Sequence, residues 1–227
     1  MDYQELEKIT SSQRLKRYKT ACSGIENKAV DLYLKNIELG SEIFKMISIV
    51  EIALRNRINE FLIEKLENEN WLREMGRENS YFCKNNHKGF LLLSNTLKYK
   101  VFISAPNSKI LTEMSLGFWT NLFLSPYYEK LNWKTAFIFK FPRKNHKCGI
   151  MSQETGIRRR AYDNLTTILN IRNRICHLEP SVFNALNKVD YTTIEKALEA
   201  IQDIAIGIEI QNDYLLNLDK KIRESLP

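Results

Sequence analysis

Turn-forming residues are scarce in this chain: 8 Gly and 5 Pro among 227 residues. Few breakers mean few turns, and the sequence reads as helical from the outset. No period-two alternation runs for more than a few residues, so half-buried strands find no support. Cysteine is equally sparse. Cys22, Cys83, Cys148 and Cys176 have no regular spacing, and the opening "MDYQELEKIT" holds no apolar signal core. A reduced, cytoplasmic protein is the expectation. The most apolar windows are interrupted by Arg, Glu or Lys. None reaches the length of a bilayer span, and no membrane partner is expected. No helix-turn-helix pattern stands out, which leaves a DNA-binding regulator resting on charge alone. What the chain does have is a core-forming composition, with 44% hydrophobic and 27% charged residues. It also has a formal charge of +7 and a pI near 9.1. An excess of that size favours a polyanionic partner such as nucleic acid.

Residues 3 to 22 read as one charged amphipathic helix ending near "SGIEN". A short helix follows over 27 to 38, with Gly40 as its breaker and Ser41 as the cap of the next helix. In "SEIFKMISIVEIALRNRINEFLIEKLENE", Ile43, Ile47, Val50, Leu54, Ile58, Phe61 and Leu62 recur at gaps dominated by three and four. This is the clearest helix in the chain. "REMGRENSYFCKNNHKGF" reads as a polar loop, "LLLSNTLKYK" as a return to helix, and "KFPRKNHKCG" as a basic loop. Pro106 and Asn107 mark another start, and short helices are expected around Gly117 and Pro126. The second clear helix is "QETGIRRRAYDNLTTILNIRNRICH", with a stripe through Tyr162, Leu165, Leu169, Arg172 and Cys176. In the last long helix, Thr192 and Glu195 have capping-box spacing. Ile194, Ala197, Leu198, Ile201, Ala205 and Ile208 form its apolar face. The expectation is an all-α bundle in a single domain over 1–227, with the middle third inserted between the two core helices.

The chemistry concentrates in "RNRICHLEP", residues 172 to 180. Arginine is almost never buried without a partner, so Arg172 on an apolar stripe calls for an anion, a wet cleft or a partner subunit. Asn173 and His177 are four apart and share a face, while Arg172 lies about 140° from His177 around an ideal helix. A long guanidinium can still meet an imidazole at the helix end on one phosphate. Histidine moves protons near neutral pH, and a guanidinium stabilises charge growing on phosphate oxygens. Asn173 can orient the imidazole or hold a phosphate oxygen. That set suits metal-independent RNA cleavage through attack of the 2′-OH. A lone Arg-x4-His also arises by chance, and a histidine at a helix end also serves the dipole. The Asn after the Arg, the stripe position and the helix end at "EP" tip the balance towards a site.

An earlier stretch, "RNRINE" at 55 to 60, nearly repeats the motif without its histidine. Glu51 and Arg55 are four apart in the favourable order for a helical ion pair, so this copy reads as structural. "IRRRAY", beginning at Ile157, places Arg158, Arg159 and Arg160 where they could grip RNA phosphates; a solvated helix face fits equally. The aromatics of "LGFWTNLF" and "PYYEKLNW" read as core, with base stacking the lesser option. Cys83, His87, His146 and Cys148 lack zinc-knuckle spacing. They read as incidental, and neither a metal nor a cofactor is expected.

"EIALRNRI", "MSLGFWTNLF" and "IRNRICHLEP", in that order and at these distances, resemble the Abi-like (abortive infection) proteins of bacteria. Those belong to the HEPN superfamily of helical ribonucleases, marked by R-x4-6-H with a polar residue after the Arg. The resemblance covers roughly residues 25 to 210. It implies a HEPN-like bundle, with Arg172, Asn173 and His177 as the catalytic motif and Glu51, Arg55 and Arg174 in support. It implies an endoribonuclease of phage defence or of a toxin–antitoxin system, acting on RNA as a homodimer with the cleft between two motifs. A protein or small-RNA antitoxin is a further implied partner. The alternative is a non-catalytic HEPN-like module that binds RNA or a protein. Leu178 stands where the family often carries a second His.

Overall fold

The computed structural model describes residues 1–75, 105–124 and 153–227. The described residues are all-α, apart from one isolated antiparallel bridge between Phe183 and Val189. Their helices are α1 (Tyr3–Thr10), α2 (Ser12–Ala21), α3 (Glu26–Leu66), α4 (Trp71–Met75), α5 (Asn107–Glu113), α6 (Leu116–Asn121), α7 (Gln153–Cys176), α8 (Thr192–Gly207) and α9 (Asp213–Ser225). The chain divides into two compact units. Met1–Ser48, Asn170–Ala200 and Asn212–Pro227 make the first, Ile49–Leu169 and Ile201–Gln211 the second. The expected helix in "LLLSNTLKYK", the loop readings over 76–104, the helix near Pro126 and the basic "KFPRKNHKCG" loop lie outside the described residues, as do Cys83, His87, His146 and Cys148.

Two expected boundaries move. The first amphipathic stretch is two helices, because Ser11 takes a positive φ of 88° between them. Asp2 and Glu5 form a capping box at the start of α1, each side chain accepting the other's backbone N–H. Conversely, Gly40 does not end a helix and Ser41 does not begin one: α3 runs unbroken from Glu26 to Leu66. Gly40 is buried, and a Cβ there would meet Ile175 at 3.6 Å. The residue is tolerated inside the helix where another side chain packs close. The predicted stripe of α3 is the buried one: Ile43, Ile47, Val50, Leu54, Ile58 and Leu62 are all nearly inaccessible, with Phe61 at its edge.

The first unit buries Tyr3, Leu6, Leu15, Tyr18, Tyr33 and Phe183 together with Leu215, Leu218 and Ile222 of α9. Tyr18 packs edge-on against Tyr33 at 5.3 Å and Phe183 at 5.1 Å between ring centres, the arrangement that ring quadrupoles favour. In the second unit Trp71, Phe118, Trp119 and Phe123 are buried with Leu165, Ile168, Ile201 and Ile204. Trp119 donates its indole N–H to the Met114 carbonyl at 3.2 Å. The "LGFWTNLF" aromatics are therefore core and offer no face to a base.

Scarcity of glycine leaves a mark on the helix ends. An α-helix that closes with a left-handed residue usually spends a glycine there. Here α2, α3, α7 and α8 turn through Ser23, Glu67, Leu178 and Glu209, with φ between 49° and 58°. Each then closes with a long backbone bond: Gly24 to Lys19, Asn68 to Ile63, Glu179 to Arg174 and Ile210 to Ala205. A left-handed residue with a side chain costs about 1 kcal/mol, offset by the orphan carbonyls these bonds satisfy.

Candidate functional site

The buried stripe of α7 runs through Ala161, Leu165, Ile168 and Ile171. It is not the Tyr162, Leu165, Leu169, Arg172, Cys176 line expected from the sequence. Both lines fit three-four spacing, and the helix buries the more uniformly aliphatic one. Arg172 consequently sits beside the core, half-buried, and Cys176 is exposed. The demand on Arg172 survives the shift. Its Nε is buried without a hydrogen-bond partner, and no carboxylate pairs with its guanidinium among the described residues. A half-buried cation without a counter-ion suits an anion supplied from outside.

Asn173 and His177 are both exposed. They stand one turn apart, the His177 backbone N–H donating to the Asn173 carbonyl at 3.0 Å. His177 is the residue at which α7 gives way to the turn. The next residue, Leu178, is left-handed at φ 54°, and Glu179 closes onto Arg174 at 2.8 Å. Three side chains hold this turn. Arg14 of α2 donates from Nη1 to the Leu178 carbonyl at 2.7 Å. Arg174 reaches forward to the Pro180 carbonyl, so its supporting role is that of a clasp. Asn36 of α3, only 5% exposed, accepts the Ser181 N–H at 2.8 Å. Beyond it, Arg17 donates to the Asn184 carbonyl at 3.3 Å and lies over the Phe183 ring at 4.5 Å. Asp190 accepts the Thr192 N–H at 2.7 Å and starts α8, so the cap precedes the predicted Thr192–Glu195 box. The hydrogen bond from Thr192 holds the Asp190 carboxyl below its ordinary range. Beside the turn lies a half-open cleft of about 300 Å³, walled by Asn36, Gly40, Phe44, Ile175, Leu178 and Ser181.

The remaining predicted residues part company. Glu51 and Arg55 belong to the second unit. Both are half-buried, but they form no ion pair with each other, and Arg55 Nε lies buried without a partner. Helical spacing brings two side chains to one face; it does not oblige them to meet. Arg158, Arg159 and Arg160 do not act as one cluster. Arg158 donates to the Phe123 carbonyl at 2.7 Å. Arg160 grips Asp203 through two nitrogens, and Asn164 joins the same carboxylate at 2.6 Å. Arg159 is exposed, 3.7 Å from Asp163. Two of the three guanidiniums thus serve the second unit's own packing.

Arg14, Arg17 and Asn36 escaped the sequence reading. Asn36 left a signal: it falls at three-four spacing between Tyr33 and Gly40, a polar residue on the buried stripe of α3. The argument applied to Arg172 holds for Asn36 as well. No protein-family model, no curated protein and no solved structure matches this chain.

Proposed function

We propose that this protein is a metal-independent endoribonuclease of the HEPN type, serving phage defence or acting as a toxin. One observation carries the reading: an exposed Asn173–His177 pair is held on a clasped helix end next to a half-buried Arg172 without a counter-ion among the described residues. His177 takes the proton of the 2′-OH as that oxygen attacks the adjacent phosphorus, and the bond to the 5′-oxygen breaks. Arg172 neutralises charge gathering on the phosphate oxygens, and Asn173 orients imidazole or phosphate. The apolar wall of the cleft at Phe44 and Leu178 gives a nucleobase somewhere to rest. A proton must also reach the leaving 5′-oxygen, and each motif has one histidine. A homodimer with two facing motifs supplies the second. The Abi-like resemblance of "IRNRICHLEP" supports the same reaction, and a protein or small-RNA antitoxin fits the toxin role.

Purified protein should cleave RNA in buffer containing chelator, and His177→Ala should lose about 10²–10⁴-fold in rate with its melting temperature little changed, because His177 is exposed. A His177→Ala variant that cleaves at the normal rate would reject the mechanism. Binding without any cleavage by the unaltered protein would favour a non-catalytic RNA-binding module.

A further inference from the structure

The basic excess of the chain is unevenly placed. Stretches 76–104 and 125–152 hold 11 of its 34 Lys and Arg but only 2 of its 27 Asp and Glu. The described residues are left with 23 cations and 25 anions. Against that slightly acidic background, α2 departs sharply. "SQRLKRYKTA" carries Arg14, Lys16, Arg17 and Lys19 and no acid. Leu15 and Tyr18 face the core. At helical pitch Arg14 and Arg17 lie about 60° apart on one flank, and Lys16 lies about 100° beyond Arg17 on the outward crest.

These charges are largely unneutralised. Lys19 pairs with Glu26 at 2.7 Å. Arg14 and Arg17 bond backbone carbonyls, which leaves each guanidinium its full charge. Lys16 is exposed and has no ion pair among the described residues. Lys16 and Lys19 also line an open cleft of about 450 Å³ between α1 and α2, shared with Ser12, Gln13, Thr20 and Glu7. The Arg14 contact fixes the direction of this surface, because its 2.7 Å bond ends on the residue after His177.

We propose that α2 is the surface that carries the phosphate backbone of an RNA strand to the turn at His177. The proposal rests on the ribonuclease reading for its ligand, not for its geometry. A single strand needs a row of cations to track its phosphates, and bidentate-capable arginines beside a lysine supply it. The phosphate-binding role assigned from the sequence to Arg158–Arg160 passes to Arg14, Lys16 and Arg17.

The test is anisotropy titration of a fluorescent 2′-O-methyl RNA, which has no 2′-OH to attack, over a range of salt. The variants are Lys16→Ala and Lys16→Glu, which break no hydrogen bond or ion pair among the described residues. Lys196→Glu on α8 is the control for charge reversal elsewhere in the first unit. Lys16→Glu should weaken binding about tenfold and Lys16→Ala severalfold, with the log–log salt slope smaller by about 1. Lys196→Glu should bind within twofold of the unaltered protein. Binding that ignores Lys16, falls equally with Lys196→Glu, or is absent from the unaltered protein would overturn the role of α2. Cleavage of natural RNA is read separately. Lys16-dependent binding by a protein that never cleaves would keep this surface and discard the ribonuclease, and cleavage with Lys16-independent binding would do the reverse.

Discussion

Arg-Asn-Arg-Ile occurs twice, at 55–58 and at 172–175, and the two copies sit in different settings. Both first arginines are half-buried with an unpartnered Nε, and both asparagines are exposed. After that the copies diverge. In α3 the helix continues to Leu66. There Ile58 is fully buried, Asn59 accepts the Trp71 indole N–H at 2.9 Å, and Arg57 lies near Glu60 and Glu209 at 4.0 and 3.9 Å. In α7 the helix stops, Arg174 clasps the Pro180 carbonyl, and His177 stands at the exit. The same four residues pack inside a helix in one copy and stand at a helix end in the other. Place along the helix, not the motif, separates the two settings.

The largest expected difference lies between the first arginines. Arg172→Ala should lower RNA cleavage by orders of magnitude, since its contact strengthens as charge develops on the phosphate. Stability should hold or rise slightly because no ion pair among the described residues is broken. Arg55→Ala should cost less than tenfold in cleavage. Single-turnover kinetics and melting curves on both variants check this, and equal losses would erase the distinction between the copies.

A smaller effect separates the fifth positions. Asn59→Ala strands the buried Trp71 indole donor and should cost about 1–3 kcal/mol. The matching Cys176→Ala, exposed, should stay within about 0.5 kcal/mol. Urea denaturation compares them. The smallest effect changes sign between copies. Leu178→Gly relieves a left-handed residue and should raise stability by about 0.5–1 kcal/mol. Phe61→Gly, at the same offset inside α3, should lower it by about 1 kcal/mol or more through helix propensity together with the loss of a half-buried ring.

Long periodic helices were legible. The cores of α3 and α8 follow the spacing of their aliphatic residues, because burying a wide stripe dominates local preference. The misplaced features were those that spacing leaves degenerate. Two neighbouring lines fit α7, and only packing chose the one through Ile168 and Ile171. Gly40 reads as a breaker unless Ile175 is known to lie against it. Ser11 gave no sign of its positive φ. Helix α9 went unread, although Leu215, Leu218 and Ile222 keep helical gaps behind the Asn212 cap, whose side chain accepts the Leu215 N–H. The candidate residues Arg172, Asn173 and His177 were legible only as residue types at a suggestive spacing. The clasps at Arg14 and Asn36 were not, because contacts across more than a hundred residues leave no local pattern.

Mapping the ends of the RNA fragments tests the chemistry most directly. With chelator present, the products should carry 2′,3′-cyclic phosphate and 5′-hydroxyl ends, and a 2′-deoxy nucleotide at the cut should stop cleavage there. Fragments with 3′-hydroxyl and 5′-phosphate ends, or cleavage that passes through the 2′-deoxy position, would contradict attack by the 2′-OH and with it the assignment of His177.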